Sequence, residues 1–552
     1  MEYMNKRLSI GKLLIFCLCS GLLLNLTGLH ASASQDMYTL LDVSSQPDTS
    51  ASRSKSTSQS KSISQSKSIT QEDMIYFIMT DRFYDGDASN NEDVKKDSLS
   101  SYHGGDFQGI IDKLDYIKNL GFTAIWISPV VENQVAGYHG YWATDFYKTN
   151  LHFGTLEKLK ELVERAHEKD IKVIVDLVVN HTGQLHPWFS DPKYSDWFHD
   201  YGPIVDYSNQ EEVEQGSLSS LPDLNQENPQ VKKYLIDMAK WWIAQTGIDG
   251  YRLDTVRHVS KDFWVDFCRE IKSAYPDFYL MGEVFDGNAE YVGGYQKTGL
   301  DGLVDFPAYF AIYEVFAGSQ PAERLAETIT TADDAYINRY KMGTFIDNHD
   351  VPRFVSQITD STEDRLKQAL TFMMTYTGIP VMYYGTEIAM DGGADPDNRR
   401  DMDFNAKSEV AQYVKVLTKL RGENPALTHG DIKLLQAEDN FISYSRSYEG
   451  ETIITSFNIS DDSLQKVLDL SALTADKKYK LVNLLGETEI KIDEGKALIT
   501  LASRGSGVYK LTQEAALSLN GGTIAISAGI LTVIAAATTV VLRRNRVRKK
   551  SQ

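Results

Sequence analysis

The chain has 552 residues, a formal net charge of -20 at pH 7 and 42% hydrophobic residues. This length and hydrophobic content support a large core and more than one domain. The excess of acidic residues repels phosphate, which argues against nucleic acid as a partner, and it suits neutral ligands and hard cations held by oxygen atoms.

Residues 1–33 have the composition of a secretory signal peptide. Basic residues at positions 6, 7 and 12 precede an apolar stretch over 13–29, and Ala-Ser-Ala at 31–33 fits the small-residue pattern of a cleavage site. An uncleaved membrane anchor is the alternative. Two of the three cysteines lie in this leader, so Cys268 is the only cysteine of the exported chain and no intramolecular disulfide is expected.

Residues 34–72 are predicted to form a disordered linker. Within this range, residues 44–71 are rich in serine, repeat SQSKSI at 58–63 and 64–69, and contain almost no apolar residue that could be buried. We interpret this segment as a spacer.

Residues 73–425 alternate short apolar runs with amphipathic stretches. Eight repeats of strand and helix predict an α/β fold, a (β/α)₈ TIM barrel. The runs are IYFIM (75–79), TAIWIS (123–128), KVIVDLVV (172–179), IDGYRLD (248–254), FYLMGEV (278–284), GLVDF (302–306), GTFID (343–347) and PVMYY (380–384).

Two further units surround this repeat. The connection after the third run is too long for a simple turn, so a small lobe is predicted at about 182–225, overhanging the carboxyl ends of the strands. After residue 430 short alternating runs such as FISYSRS (441–447) and TIITSFNI (452–459) predict an antiparallel β domain over 430–512.

The C-terminal end has the pattern of a membrane anchor. Residues 521–542 carry no charge and are long enough to cross a bilayer, and the basic segment 543–552 is expected to stay in the cytoplasm. Similar tails occur on wall-sorted proteins of Gram-positive bacteria, but residues 505–522 contain no LPxTG-like motif. The sequence therefore predicts a single-pass membrane protein with its catalytic domain outside a Gram-positive bacterial cell.

Three acidic residues close apolar runs of the predicted barrel. They are Asp254 in GYRLDTVRH (250–258), Glu283 in LMGEVF (280–285) and Asp350 in FIDNHD (345–350). Retaining hydrolysis of a glycoside needs one carboxylate as nucleophile and one carboxylic acid about 5–5.5 Å away. Residues on neighbouring strand ends can meet that distance, and Arg252, on the same strand face as Asp254, could keep the nucleophile ionised.

The chain resembles the α-amylase family, glycoside hydrolase family 13. Four motifs occur in order: DLVVNH (176–181), GYRLDTVRH (250–258), GEVF (282–285) and FIDNHD (345–350). The resemblance implies that Asp254 is the nucleophile, Glu283 the general acid/base and Asp350 the stabiliser of the transition state. It also implies a set of residues that contact the sugar. They are His139, Tyr141 and Trp142 in YHGYW (138–142), with His181, Arg252, Arg257, His258 and His349.

The same resemblance implies one Ca²⁺ site and indicates a second. The first would use Asn180, Asp223 and the backbone carbonyl of His258, joining the lobe to the barrel. The second resembles the N-terminal calcium loop of cyclodextrin glucanotransferases, with a plain Asx-rich turn as the alternative. Its ligands would be Asp85, Asp87, Asn90, Asn91 and Asp106.

The leading hypothesis is a monomeric, endo-acting α-amylase that hydrolyses α-1,4-glucosidic bonds of starch or maltooligosaccharides with retention. Transglycosylation of the cyclodextrin glucanotransferase type is the second, although the chain leaves no room for the extra β domains usual in those enzymes. A catalytically inactive amylase-like ectodomain is the third. The first two hypotheses need the intact triad of Asp254, Glu283 and Asp350. The third hypothesis is favoured only if no α-glucan is cleaved.

Overall fold

The computed structural model of the chain describes residues 68–474 and 478–514. The predicted signal peptide, most of the predicted linker, the predicted membrane helix at 521–542 and the basic tail lie outside these ranges. The prediction of a single-pass membrane location is contradicted, because the described residues contain no helix with the length and apolar character of a bilayer crossing.

A barrel of eight parallel strands confirms the predicted fold class. The strands pair in the order β6-β5-β4-β3-β2-β1-β8-β7, and a parallel bridge between Val304 and Gly343 brings the two ends together. Each predicted apolar run overlaps one strand. Strands β1 to β8 are Ile75–Ile78, Ala124–Ile127, Lys172–Leu177, Gly250–Leu253, Tyr279–Gly282, Gly302–Leu303, Gly343–Thr344 and Ile379–Tyr383.

Both faces of the barrel strands are covered, which explains their continuous apolar sequences. Every residue of β1, β2, β4 and β5 is buried, as expected for a parallel sheet between packed side chains inside and helices outside. Ile69 of the predicted linker is also fully buried, so the last linker residues lie against the barrel.

Helices surround the strands and begin and end at residues suited to those positions. Asp106 caps the first long helix by accepting a hydrogen bond from the backbone N–H of Gly109 at 2.6 Å, and Gly121 ends it with φ 97°. Helices α1 to α8 are Phe107–Leu120, Leu156–Glu168, Pro229–Thr246, Lys261–Ala274, Phe306–Ile312, Glu323–Ala335, Thr362–Thr375 and Glu409–Glu423. Shorter helices are Thr80–Phe83, Pro187–Ser190, Gln210–Gln215, Ala289–Gly293, Pro425–His429 and Ser471–Thr474.

Two insertions stand above the barrel on the side of the carboxyl strand ends. The lobe between β3 and α3 is held by short helices and by isolated bridges, such as the pair His181 and Asp223. A hairpin of Val131–Asn133 and Ala143–Thr149 follows β2. The sequence pattern did not predict this hairpin, because its strands are short and irregular in register.

The C-terminal domain is one antiparallel sheet of eight strands, as predicted in kind. Their order is β9-β10-β11-β16-β13-β14-β15-β12. Strands β9 to β16 are Asp431–Glu438, Phe441–Tyr448, Glu451–Asn458, Leu464–Asp469, Tyr479–Asn483, Glu489–Asp493, Lys496–Leu501 and Ser506–Gln513.

Candidate active site

Two acidic side chains at the carboxyl ends of β4 and β5 share one arginine. Leu253 and Gly282 are partners in the parallel register, so Asp254 and Glu283 each follow the last paired residue of neighbouring strands. Arg252 donates from Nη1 to Asp254 Oδ1 at 2.6 Å and contacts Glu283 Oε1 through Nη2. One planar guanidinium therefore limits the separation of the two carboxyl groups.

Thr255 holds the remaining oxygens of this pair. Its backbone N–H donates to Glu283 Oε2 at 3.0 Å, and its hydroxyl donates to Asp254 Oδ2 at 3.1 Å. Thr255 has φ 46°, a left-handed conformation that is strained for a β-branched residue. This turn directs both donors of Thr255 toward the two carboxyl groups.

A third carboxylate, which is not among the predicted site residues, lies behind the pair. Asp176, near the end of β3, accepts from Arg252 Nη1 at 2.9 and 3.0 Å and from the Tyr141 hydroxyl at 2.8 Å. The Tyr141 oxygen also lies 2.6 Å from Nε2 of His349, and the two rings are stacked at 13°. A continuous polar chain thus connects Asp254 with His349.

Asp350 lies at the far end of this chain and is more open to solvent. Its Oδ2 is 3.3 Å from Nε2 of His349, and its Oδ1 is 3.4 Å from Nη2 of Arg399. Arg399 also donates to the His349 carbonyl at 2.9 Å and pairs with Asp395 at 3.1 Å. The Asp350 side chain is 33% exposed, whereas the strand-end carboxyl groups are 7% exposed. Asp350 therefore faces the open part of the cleft.

Burial shifts the pKa values of the carboxyl groups and of the imidazole in opposite directions. It raises the pKa of Glu283 well above the usual range of a carboxyl, an effect that Arg252 opposes and that Asp254 and Asp350 reinforce. Burial also raises the pKa of Asp176, again against Arg252. Burial lowers the pKa of His349, and Arg399 adds to this effect, so His349 is uncharged at neutral pH. The site therefore contains a carboxyl group poised to carry a proton at neutral pH.

Three more of the predicted sugar contacts surround Tyr141. His139 accepts at Nδ1 from the Tyr141 backbone N–H at 3.1 Å, and its ring centroid lies 4.4 Å from that of Trp142. Nε2 of His181 faces the Tyr141 carbonyl at 3.2 Å. The tyrosine that the resemblance places under the sugar is thus fixed from both ends.

Arg257 and His258 contact protein groups of the surrounding loops. Arg257 donates to the carbonyls of Phe285 at 3.0 Å and Tyr207 at 3.2 Å, so it joins the loop after β5 to the lobe. The His258 imidazole faces the carbonyl of Val213 in the lobe at 3.2 Å, and burial lowers its pKa to about 4. Both side chains therefore brace the lobe beside the cleft.

The three residues predicted for the first calcium site converge. Asn180 Nδ2 lies 2.8 Å from Asp223 Oδ1 and 3.0 Å from the His258 carbonyl oxygen. Asn180 Oδ1 lies 3.0 Å from Nδ1 of His181, whose Nε2 already faces the Tyr141 carbonyl. Burial lowers the pKa of His181, and an uncharged imidazole has only one N–H for these two acceptors.

A half-turn of the Asn180 amide resolves this conflict. The amide nitrogen then donates to His181, and the amide oxygen joins those of Asp223 and His258. Three oxygens without a donor between them match the ligand preference of Ca²⁺. The residues present therefore fit a hard cation at this position.

The second predicted site contains two buried oxygens without a donor. Oδ1 of Asn90 and Oδ1 of Asn91 are buried and have no hydrogen-bond partner in the described part of the chain. Their amide nitrogens donate to Asp106 at 3.3 Å and to Asp85 at 2.9 Å. Buried oxygens that lack a donor are costly, and a cation between these carboxylates would satisfy them.

Asp87 takes a different part in this loop. Its carboxylate accepts from the backbone N–H and hydroxyl of Ser89 at 3.0 and 2.6 Å, so it caps a short turn. Across residues 68–474 and 478–514, no group of three or more His, Cys, Asp or Glu side chains is placed to share a metal ion. Each candidate site therefore depends on amide or backbone oxygens.

Two comparisons with known proteins agree with this geometry. A family model described as the alpha-amylase catalytic domain matches residues 77–421. A protein named beta/alpha-amylase from Paenibacillus polymyxa is 42% identical over 458 residues, which make up 79% of this chain and 37% of that protein. This chain therefore spans well under half of that relative.

Solved structures share the whole described architecture. An Anoxybacillus α-amylase is 47% identical with a TM-score of 0.78, over 81% of this chain and 99% of that one. A cyclomaltodextrin glucanotransferase with a three-domain ABC distribution is 34% identical with a TM-score of 0.72, over 79% of this chain and 99% of that one.

Proposed function

The chain belongs to the α-amylase family of glycoside hydrolases, and we propose that it is an endo-acting hydrolase of α-1,4-glucosidic bonds in starch or maltooligosaccharides that retains the anomeric configuration. The observation that carries this proposal is the shared guanidinium of Arg252, which holds Asp254 and Glu283 together at adjacent strand ends. Retention requires such a close pair, because no water molecule stands between the carboxyl groups in the first step.

In the first step, the Asp254 carboxylate attacks the anomeric carbon and the glycosidic C–O bond breaks. Glu283, kept protonated by burial, gives its proton to the departing oxygen. In the second step, the Glu283 carboxylate removes a proton from water, whose oxygen attacks the anomeric carbon and releases Asp254. Two inversions at one carbon restore the starting configuration.

Asp350 and Tyr141 would act on the sugar without forming a bond to it. The open carboxylate of Asp350 would stabilise the positive charge that develops at the anomeric carbon. The Tyr141 ring, stacked on His349, would contact the apolar side of the sugar. Both roles need rigid placement, which Arg399 and Asp176 supply.

NMR of fresh product tests the mechanism. The α-anomer must appear first, and initial formation of the β-anomer would rule out retention. A product profile from amylose, pullulan and cyclodextrin would then define the substrate. Cleavage of amylose into short linear products is expected, and failure to cleave any α-1,4-glucan would overturn the proposed function.

Transglycosylation is a second candidate, and one observation favours keeping it. The three-domain cyclomaltodextrin glucanotransferase is matched by this chain over 99% of its own length. Extra β domains are therefore not needed for an enzyme of that name. In that reaction a sugar hydroxyl, rather than water, would attack the intermediate on Asp254. Cyclic products from amylose would identify it.

Calcium is part of the proposal as a structural ion. Asn180, Asp223 and the His258 carbonyl would hold one ion between lobe and barrel, and Asp85, Asn90, Asn91 and Asp106 would hold a second in the loop before α1. Bound Ca²⁺ would neutralise these oxygens and fix the loops that carry them. Neither ion would touch the reacting bond.

A further inference from the structure

Thr255, the residue that follows the candidate nucleophile, has a backbone conformation that does not suit it. Its φ is 46°, a left-handed conformation in which a β-branched residue is strained and glycine is not. Strain of this kind persists at sites where the surrounding structure makes use of it. Its backbone N–H donates to Glu283 at 3.0 Å, and its carbonyl accepts from the backbone N–H of His258 at 2.9 Å. Glycine could supply both contacts, so the threonine side chain needs its own explanation.

A structural role at a helix end does not explain this side chain. Thr255 precedes a short helical turn, Val256–His258, and a threonine in such a position commonly caps the turn with its hydroxyl oxygen. Here the side chain makes no capping hydrogen bond. Its hydroxyl instead donates to Oδ2 of Asp254 at 3.1 Å, the one side-chain hydrogen bond that Thr255 makes within residues 68–474 and 478–514. The hydroxyl thus faces the carboxylate that attacks the sugar.

The two oxygens of Asp254 are held unequally. Oδ1 accepts from Nη1 of Arg252 at 2.6 Å, a short bond with a charged donor. Oδ2 accepts from the uncharged Thr255 hydroxyl, and the described residues provide it with no second donor. A guanidinium binds a carboxylate oxygen more strongly than a neutral hydroxyl does at a longer distance. Oδ2 therefore has the more available lone pairs, which makes it the attacking oxygen.

This difference decides what happens to the hydroxyl bond in each step. In the first step, Oδ2 bonds to the anomeric carbon and becomes the single-bonded oxygen of an ester, while Oδ1 remains the carbonyl oxygen on Arg252. In the second step, the water oxygen bonds to the anomeric carbon, and the bond from that carbon to Oδ2 breaks with its electron pair on Oδ2. The water proton passes to Glu283. Negative charge therefore leaves Oδ2 in the first step and returns to it in the second.

The Thr255 hydroxyl should act differently on the two steps. An ester oxygen is a weaker acceptor than a carboxylate oxygen, so the hydrogen bond from the hydroxyl strengthens as Oδ2 departs from the sugar. A contact that is stronger in the transition state than in the state before it lowers the barrier. The hydroxyl accelerates the second step for this reason, whereas the first step begins with the hydrogen bond already formed and gains nothing from it.

From these observations we propose that the Thr255 hydroxyl is a catalytic donor, which stabilises the departing Oδ2 of Asp254 and so speeds the breakdown of the glycosyl-enzyme intermediate. The inference rests on the proposed function for its reaction. It adds a catalytic residue to the three acids, since the hydroxyl contacts a reacting atom. It also explains why a strained threonine follows the nucleophile.

Fluoride release from α-maltosyl fluoride tests this role, because the activated leaving group makes breakdown of the intermediate the slower step. Thr255→Ala and Thr255→Ser form a matched pair that differs only in the hydroxyl, since both lack the threonine methyl group. Thr255→Ala should release a burst of about one fluoride per active site and then turn over about tenfold more slowly than Thr255→Ser. The rate constant of the burst should agree between the two variants within about twofold.

Mass spectrometry of acid-quenched protein gives an independent readout. During steady-state turnover, Thr255→Ala should accumulate protein that carries a maltosyl group on Asp254, and Thr255→Ser should accumulate much less. Thermal unfolding of each variant, compared with the unsubstituted protein, checks the fold. If Thr255→Ala is misfolded, Thr255→Val takes its place, because valine keeps the β-branched shape and lacks the hydroxyl.

Equal turnover of Thr255→Ala and Thr255→Ser would overturn the inference. A slower burst without accumulated intermediate would also overturn it, because the hydroxyl would then only orient Asp254. Failure of the proposed function has a different signature: the unsubstituted protein would cleave no soluble α-1,4-glucan. A protein that cleaves such glucans while Thr255→Ala accumulates no intermediate would retain the proposed function and lose the role of Thr255.

Discussion

Nη1 of Arg252 lies 2.6 Å from Oδ1 of Asp254, and the other terminal nitrogen of the same guanidinium contacts Glu283. Nη1 also reaches both oxygens of Asp176. Three carboxyl groups from three neighbouring strands are therefore oriented by one buried cation. This relationship makes the candidate nucleophile and the candidate acid parts of a single electrostatic unit.

We expect Arg252→Gln to lower kcat at least about 100-fold, because the two carboxyl groups lose their common support. Arg252 lowers the pKa of Glu283, so its removal should move the alkaline limb of the residual pH–rate profile to higher pH. Arg252→Lys keeps the charge but cannot contact both carboxyl groups through two separate nitrogens. It should lower kcat without moving the alkaline limb. An unmoved alkaline limb in Arg252→Gln would contradict the assigned coupling.

Replacements of the two acids should separate their roles. Glu283→Gln should lower starch hydrolysis at least about 1,000-fold, yet it should still form the first intermediate from α-maltosyl fluoride, whose leaving group needs no proton. Asp254→Asn should lose both reactions. Stopped-flow release of fluoride provides the measurement, and equal loss of fluoride release in both variants would reject the assignment.

Stability should depend on the protonation of Glu283. Burial raises its folded-state pKa. Below about pH 4, Glu283 is protonated in both the folded and the unfolded protein, so it costs no stability. As the pH rises toward the folded-state pKa, Glu283 ionises in the unfolded chain but not in the folded protein, and the cost in stability increases. Glu283→Gln removes this penalty and should raise Tm by about 2 °C at pH 7, with no gain at pH 4. Calorimetry at both pH values measures the change in Tm, and a gain in Tm at pH 4 alone would contradict the predicted direction.

Calcium should stabilise the folded protein by mass action, by about 2.7 kcal/mol at one hundred times Kd. Chelation should therefore lower Tm in the unsubstituted protein. Asp223→Ala should remove the part of this response that comes from the first calcium site, because it deletes one of the oxygens of that site. Asn91→Ala should do the same for the second site. Asn119→Ala, on the exposed face of α1, is the control. Identical responses to chelator in all variants would argue for plain Asx-rich turns.

Arg446 should be essential for joining the two domains. It is fully buried, and its guanidinium donates to the carbonyls of Gly430 at 2.9 Å and of Thr375, at the end of α7, at 3.1 Å. Arg446→Met leaves these buried carbonyls without a donor and should lower the free energy of unfolding by about 3 kcal/mol. Urea unfolding measures the loss, with exposed Arg269→Met as control. A loss equal to that of the control would show that the contact contributes little.

Much of the fold followed from local pattern. Continuous apolar runs at regular spacing predicted the eight barrel strands because a parallel barrel buries both faces of each strand. The hairpin that supports Tyr141 escaped prediction, since its short strands have no clear period. A membrane location was predicted from residues 521–542. The described residues, which do not include that segment, contain no helix that is long and apolar enough to cross a bilayer.

The sequence by itself determined which side chains stand at the strand ends, because chain order and register place Asp254 and Glu283 one residue beyond paired positions. Only the tertiary structure decided what surrounds them. Asp176 and Arg399 entered the site through contacts between distant segments. Burial, hydrogen-bond partners and pKa depend on which segments pack together, and no local pattern contains that information.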